Sequence, residues 1–418
     1  MLWLLQFPAI VVLALAAWLV GRAVWVWQNP RRRPRPGNSP AASTRPVAVV
    51  LGSGGHTGEM VLALGAVSKA VWALQRPLYI VSATDKDSAA VAIKFEKDTL
   101  GRIAAIATIP RAREVGQSYF SSVFTTLTAL KVALGVVWRA NPDVILTNGP
   151  GVCVPVVAAT FFWAILVPTR SRAAVTYFES FTCVDHLSLS GKLLLPVADV
   201  FTVQWPALAE KLRGRRTVHY CGPFVAGRPW AVPLLPSGFA AQADGAGAPK
   251  MPRRAVVTVG STRFDALIRA VDDDAVYDAL ATRLGIEELL IQKGRSQVAV
   301  AGPKGDVARR LRVTTVEYKP HLGDDIRGAC LVISHAGAGT ILEALKANVP
   351  TVVVPNPLLM GNHQRPLADA LAARKHIFCV EVDDVAARLG GLPFDSLQEL
   401  PPANVLAVRK CVEPVLAF

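Results

Sequence analysis

Two stretches decide the fold: Val47-Ala48-Val49-Val50-Leu51-Gly52-Ser53-Gly54-Gly55-His56-Thr57-Gly58-Glu59, and Leu331-Val332-Ile333-Ser334-His335-Ala336-Gly337-Ala338-Gly339-Thr340. In each, a β-branched apolar run enters a glycine-rich turn. A short apolar run closed by glycine reads as a buried strand, and the residues after the turn read as a helix. A helix N-terminus carries unpaired N–H groups and a partial positive charge, so such a turn suits a phosphate or another anion. The glycines alone fit a tight turn without ligand equally well. Thr340, which can donate near the helix start, and Glu343, which can accept from ribose hydroxyls, favour the ligand.

The same alternation continues outward. Further strands are expected at Leu78–Ser82, Asp143–Thr147, Val175–Glu179 and Val200–Gln204, and in the second half at Ala255–Val259, Glu288–Gln292 and Thr351–Val354. Apolar strands alternating with helices imply parallel, doubly wound sheets. A Pro/Gly/Ala-rich stretch without periodicity, Ala226 to Arg254, reads as a linker. The expected division is an anchor at 1–28, a basic Pro-rich linker at 29–45, domains at 46–225 and 254–418, and a linker at 226–253. Residues 402–418 read as a closing helix. The fold class is α/β: two Rossmann-like domains facing a cleft, behind one N-terminal transmembrane helix. In such sheets ligands lie at the carboxyl ends of strands, so both glycine turns are expected to face the cleft.

Leu2 to Trp27 is nearly all apolar, with Arg22 the only charge, and four arginines follow among prolines, Arg31, Arg32, Arg33 and Arg35. About 20 helical residues cross the hydrocarbon core. The positive-inside rule then puts the remaining chain in the cytosol. A cleaved signal peptide is the alternative, but the basic n-region is missing. A second apolar run, Val152 to Val167, reads as a helix of the first domain, because a span there would split a single nucleotide fold across the bilayer.

The chain has 418 residues, a net charge of +14, 52% hydrophobic residues and 18% charged ones, which is material for two cores plus membrane contact. Its basic residues are scattered without an aromatic-basic signature, so nucleic acid is not an expected partner. The six cysteines form no CxxC pair, which excludes a zinc framework and fits a reducing compartment. Asp272-Asp273-Asp274 imitates a metal motif but falls on a predicted helix, so no metal and no cofactor are expected.

Several collinear blocks carry a family resemblance. Val257 to Ile268 (VTVGSTRFDALI), Ile291 to Ser296 (IQKGRS), Ser334 to Leu345 (SHAGAGTILEAL) and Leu358 to Gln364 (LLMGNHQ) resemble the catalytic subunit of the dolichol-pathway UDP-N-acetylglucosamine transferase. Leu51 to Met60, Ile109 to Ser118, Asn141 to Pro155, Tyr177 to Leu194 and Val203 to Pro206 resemble its membrane-anchor subunit. The chain departs from the family at Lys293, where an aromatic residue is usual, at Arg365-Pro366, and in its fused order.

The resemblance implies a GT-B-type glycosyltransferase on the cytosolic face of the endoplasmic reticulum. It would add a second N-acetylglucosamine, β1→4 and with inversion, from UDP-N-acetylglucosamine to N-acetylglucosaminyl-diphosphodolichol. The donor would meet Gly260, Ser261, Thr262, Gly294, His335, Gly337, Ala338, Gly339, Thr340, Glu343, Asn362, His363 and Gln364. The acceptor would meet Gly54, Gly55, Thr57, Arg111, Arg113, Gln117 and Glu179. His56 is the expected general base, with Glu59 or Glu179 as alternatives. Contact with the enzyme of the preceding step stays open. A UDP-sugar 2-epimerase and a non-catalytic membrane scaffold are the competing readings: the anchor disfavours the first, the intact second-half motifs the other.

Overall fold

β1 (Arg45–Val50), β2 (Gln75–Ser82), β3 (Ala105–Ile109), β4 (Val144–Asn148), β5 (Ala174–Phe178), β6 (Val200–Val203) and β7 (Val218–Tyr220) form one sheet in the order β3-β2-β1-β4-β5-β6-β7. Every pairing in it is parallel. The strands expected in this half lie within a few residues of β1, β2, β4, β5 and β6. β3 and β7 lie at the sheet's edges, where one partner strand suffices and the sequence pattern is weaker.

In the computed structural model the described residues are 2–29, 44–52, 54–113, 117–224, 252–319, 322–357 and 364–417. The expected linkers thus lie largely outside the described residues. Two compact units result: Met1–Phe224 with Asn404–Phe418, and Val225–Ala403.

The helices of the first unit are α1 (Leu2–Gln28), α2 (Gly55–Ala66), α3 (Lys69–Ala73), α4 (Lys86–Leu100), α5 (Tyr119–Ala140), α6 (Cys153–Leu166), α7 (Leu189–Leu194) and α8 (Pro206–Lys211). The expected helix at Val152 to Val167 is α6, whose Cys153, Val156, Val157 and Ala164 are buried. α6 lies between α1 and α5 and also packs on α7. The core on the α2 side collects Val47, Val49, Leu51, Met60, Leu64, Trp72 and Tyr79.

The second unit has a parallel six-stranded sheet in the order β10-β9-β8-β11-β12-β13. Its strands are β8 (Arg254–Thr258), β9 (Glu288–Gln292), β10 (Arg312–Val316), β11 (Leu331–Ser334), β12 (Thr351–Val353) and β13 (Phe378–Cys379). The sequence pattern does not predict β10 and β13. β10 is a half-exposed edge strand with threonines, and β13 has two residues. The helices of this unit are α9 (Asp265–Val271), α10 (Asp274–Asp278), α11 (Val307–Arg310), α12 (Leu322–Arg327), α13 (Ala338–Lys346), α14 (Arg365–Ala373) and α15 (Val385–Arg388).

The last helix, α16 (Val405–Leu416), corrects the expected domain division: it belongs to the first unit, not to the 254–418 domain. Its Val408, Val412 and Leu416 complete the core around Met60 and Leu64. Glu413 Oε1 accepts from Ser68 N at 2.7 Å, and the Leu416 carbonyl accepts from Gln75 Nε2 at 3.3 Å.

The acidic triplet is used locally. The Asp272 carboxylate accepts from Tyr277 Oη at 2.6 Å and from the backbone N–H groups of Ala301 and Gly302. Asp273 caps α10 by accepting from Ala275 N at 2.8 Å.

Candidate active site

In the first unit the chemistry gathers where β1, β4 and β5 end. β1 runs into the first glycine turn, and Gly54 opens α2 at φ 63°, with no capping side chain. A left-handed φ is what a glycine supplies without steric cost. The turn after β4 interlocks with it: a Cβ at Gly52 would lie 2.5 Å from Pro150 Cβ, and one at Gly149 would lie 2.5 Å from His56 Cε1. The His56 ring therefore lies flush against the Gly149 backbone. Asn148 Nδ2 donates to the His56 carbonyl at 2.6 Å, and Ser190 Oγ donates to the Gly149 carbonyl at 3.1 Å.

His56 Nδ1 and Asn148 Oδ1 are buried without a hydrogen-bond partner among the described residues. Burial lowers the His56 pKa to about 4, so the ring is neutral at pH 7. The sequence does not single out Asn148; its Asn-Gly-Pro-Gly context marks a turn only. Thr57 has its hydroxyl engaged inward, donating to the Gly52 carbonyl and pairing with Ser88 Oγ at 2.6 Å.

Glu59 and Glu179 are buried, and both brace one segment. Glu59 accepts from Ser180 Oγ at 3.0 Å, from Phe181 N at 3.2 Å and from Gln204 Nε2 at 3.5 Å. Glu179 accepts from Ser180 N at 3.0 Å and from Ser188 N at 3.2 Å. Desolvation raises the pKa of both carboxyls, that of Glu59 to about 7, with the neighbouring Glu179 charge adding to it. What these carboxylates hold is the loop 180–188, tied to the ends of β5 and α2.

Ala112 lies beside this cluster, since a Cβ at Gly151 would meet Ala112 Cβ at 3.8 Å. Arg113 donates through Nε and Nη2 to the Gln117 carbonyl at 3.0 and 2.8 Å. Gln117 Nε2 reaches Thr125 Oγ1 at 3.4 Å, and Thr125 and Thr126 donate to the Ala112 carbonyl. Arg111 is partly buried in the same turn. Gly55 follows Gly54 as the first residue of α2.

In the second unit the ends of β8 and β11 meet around His335. A Cβ at Gly337 would lie 2.5 Å from His335 Cε1, and one at Gly260 would lie 2.9 Å away. His335 Nδ1 lies 3.3 Å from the Thr258 carbonyl, and burial lowers its pKa to about 4. Gly337 precedes α13 and no side chain caps that helix, whose first residues are Ala338, Gly339 and Thr340. Their N–H groups are the anion-binding feature expected there. Ala336 adopts φ 64°, a strained conformation for a non-glycine residue. Glu343, further along α13, has its carboxyl carbon 3.5 Å from where a Gly323 Cβ would lie.

The Gly260 turn has its own brace, which the sequence does not reveal. Gln292 Nε2 donates to Thr258 Oγ1 at 3.1 Å and to the Gly260 carbonyl at 3.2 Å, and its Oε1 accepts from Lys319 N at 2.9 Å. Thr262 Oγ1 donates to the Val259 carbonyl at 2.7 Å, and Ser261 is exposed at the tip. Gly294, at φ 56°, faces the Gly260 and Thr262 carbonyls with no room for a side chain. Asn362 and His363 lie outside the described residues. Gln364 precedes α14, and its Oε1 is buried without a partner among the described residues. The unusual Arg365-Pro366 pair suits its place: Pro366 falls in the first turn of α14, and Arg365 pairs with Asp369 and Glu381.

Known proteins match each half of the chain separately. Residues 47–223 match the family model "Oligosaccharide biosynthesis protein Alg14 like", and residues 254–380 match "Glycosyltransferase family 28 C-terminal domain". The UDP-N-acetylglucosamine transferase subunit ALG14 of Homo sapiens is 41% identical over 172 residues, which is 40% of this chain and 77% of that protein. Subunit ALG13 of Mus musculus is 43% identical over 127 residues, 30% of this chain and 10% of that protein. Among solved structures, Acinetobacter baumannii MurG matches with a TM-score of 0.52 and 18% identity, covering 89% of this chain and 97% of its own. A Listeria monocytogenes protein described as a UDP-N-acetylglucosamine 2-epimerase matches with a TM-score of 0.58 and 13% identity, covering 88% and 94%. At such identity these two likenesses speak to fold alone: the GT-B-like pair of parallel α/β units. The chain belongs to the Alg14 family of UDP-N-acetylglucosamine transferase subunits, with an Alg13-like glycosyltransferase family 28 C-terminal domain fused on the same polypeptide.

Proposed function

We propose that the chain transfers N-acetylglucosamine from UDP-N-acetylglucosamine to the 4-hydroxyl of N-acetylglucosaminyl-diphosphodolichol, with inversion, to form the β1→4 chitobiosyl lipid. The observation that carries this reading is the pair of glycine turns. Each ends a central strand and opens a helix without a capping side chain, one in the Alg14-type unit and one in the family 28 unit.

In this reading the α13 N-terminus and the Gly260–Thr262 turn hold the departing UDP. Preorganised N–H dipoles of this kind contribute several kcal/mol to a step that develops negative charge. Glu343 and Gln364 take hydroxyl groups of the donor. Arg111 and Arg113 take the acceptor diphosphate in this reading, since arginine suits bidentate phosphate contact. His56 is the base for the acceptor hydroxyl: it is neutral at pH 7 and its Nδ1 has no partner among the described residues. Glu59 and Glu179 act through the 180–188 loop as positioning residues. α1 spans the endoplasmic reticulum membrane once, with both units on the cytosolic side.

The test is incubation of membranes carrying the chain with labelled UDP-N-acetylglucosamine and the monosaccharide-diphosphate lipid. Labelled disaccharide lipid is expected. Free epimerised sugar or the absence of product would overturn the reading.

A further inference from the structure

Cys221 directly follows β7, and Cys411 lies on α16, 190 positions further along the chain. Folding brings their sulfurs to 3.7 Å, with the Cys221 thiol donating to Cys411 Sγ. No other two thiols are hydrogen-bonded to each other among the described residues. Both belong to the core on the α2 side, Cys221 within it and Cys411 packed against it. Their exposure differs: Cys221 is fully buried, Cys411 only partly. One sulfur can therefore meet a small reagent, and the other lies behind it.

The electrostatics run the same way. The hydrogen bond from Cys221 lowers the Cys411 pKa, and that bond together with burial raises the Cys221 pKa. The thiolate is the reactive form, so the more reactive sulfur is also the accessible one.

We propose that Cys411 and Cys221 form a reversible oxidation site, which takes a small-molecule disulfide of the glutathione type and closes into a Cys221–Cys411 disulfide. Cys411 attacks one sulfur of the reagent and the reagent's S–S bond breaks. A mixed disulfide forms on Cys411, and one thiol leaves with the proton that Cys411 gave up. Cys221 then loses its proton and attacks the Cys411 sulfur, displacing the second thiol, which carries that proton away. Two protein thiols are oxidised to one disulfide, and the reagent is reduced to two thiols. In a reducing compartment the pair rests as thiols, and closure follows a rise in the disulfide form of the small-thiol pool.

Position gives the bond its consequence. The chain leaves the first unit after Phe224 and rejoins it at Asn404. Those two crossings lie side by side, since a Cβ at Gly222 would lie 3.9 Å from Asn404 Cβ. A disulfide just outside them clasps this stem and encloses the whole second unit in one covalent loop. Without it, α16 is held by noncovalent contacts alone. Pro414 inside α16 also removes one of the helix's own hydrogen bonds. A terminal helix of this kind opens locally at less cost than the sheet it covers. Oxidation suppresses that opening, because α16 is then tied to the end of β7.

The experiment uses the purified full chain in detergent, equilibrated at pH 7.5 in mixtures of reduced and oxidised glutathione. Free thiols are then alkylated, the chain is digested with trypsin, and the non-reduced peptides are read by mass spectrometry. The peptides carrying Cys221 and Cys411 should appear joined, with the two thiols losing alkylation in equal proportion. Cys379, also partly exposed, should take at most a mixed disulfide. Hydrogen exchange of the α16 amides should slow by about ten-fold or more on oxidation. Cys411→Ala should show neither the joined peptide nor the slowing. A stable glutathione adduct on Cys411 beside an alkylatable Cys221 would overturn the proposal. So would the absence of the joined peptide in excess oxidised glutathione, or unchanged α16 exchange in the joined form. None of these readouts depends on transferase activity.

Discussion

Gly149→Ala tests the geometry around His56 most directly. The new Cβ would lie 2.5 Å from His56 Cε1, 3.0 Å from Nδ1 and 3.1 Å from Nε2. Carbon atoms pack at about 3.5–4.0 Å, so the ring must move by roughly 1 Å. Gly149 is not among the residues with positive φ, so the substitution adds no backbone strain. Overpacking of this kind costs about 1–3 kcal/mol of stability. A displacement of about 1 Å in a reacting group costs on the order of 100-fold in turnover. The assay is disaccharide-lipid formation with purified, folded protein, beside a thermal melt of each variant. Turnover should fall by about 100-fold while the KM for UDP-N-acetylglucosamine is unchanged. In a His56→Ala background the stability cost of Gly149→Ala should vanish, because the ring that meets the Cβ is gone. A cost that persists there would show that the ring is not what the Cβ meets. Normal turnover of a folded Gly149→Ala protein would refute the placement of His56 at the reacting hydroxyl.

Three further outcomes are expected. Glu59 has its pKa raised to about 7 in the folded chain, so its ionisation destabilises the fold: stability it supports below about pH 4.5 is lost as the pH rises through 7. Glu59→Gln should remove that loss, and denaturant melts at pH 5 and pH 7.5 should show the variant gaining about 2 kcal/mol on wild type over the interval. His56 titrates in the opposite sense, its pKa lowered to about 4, so as a base it should keep kcat/KM flat from pH 7 to about 5, with the acid limb near 4; an acid limb at 6.5 would exclude it. Val412→Asp, at a fully buried position of α16, should cost at least about 3 kcal/mol and lower the melting transition of the first unit, with UDP binding as the control readout.

Much of the fold is legible in the sequence because its constraints are local. A buried parallel strand carries a near-continuous apolar run, so β1, β4, β8 and β11 announce themselves, and turns rich in small residues follow. Edge strands carry no such constraint, which is why Arg312–Val316, half-exposed and with two threonines, lacks the continuous apolar run of the central strands. The C-terminal helix is legible as a helix but not in its allegiance. Its apolar face fits any core, and only the packing of Val408 and Val412 against Met60 and Leu64 assigns it to the first unit.

The site divides in the same way. Residue types and spacing in the sequence determined where the glycine turns open helices, at Gly54–Gly55 and at Gly337–Thr340, because a strand, a glycine turn and a helix start suffice to present N–H groups. Tertiary structure decided what the polar side chains do. Glu59 and Glu179 have the chemistry of candidate bases, yet Glu59 spends its acceptor capacity on Ser180, Phe181 and Gln204, more than a hundred residues distant. Asn148 and Gln292 carry no mark in the sequence, because their importance lies in bonds to the His56 and Gly260 carbonyls. A turn is set by its own backbone, whereas the protonation and role of a buried group are set by the neighbours that folding brings to it.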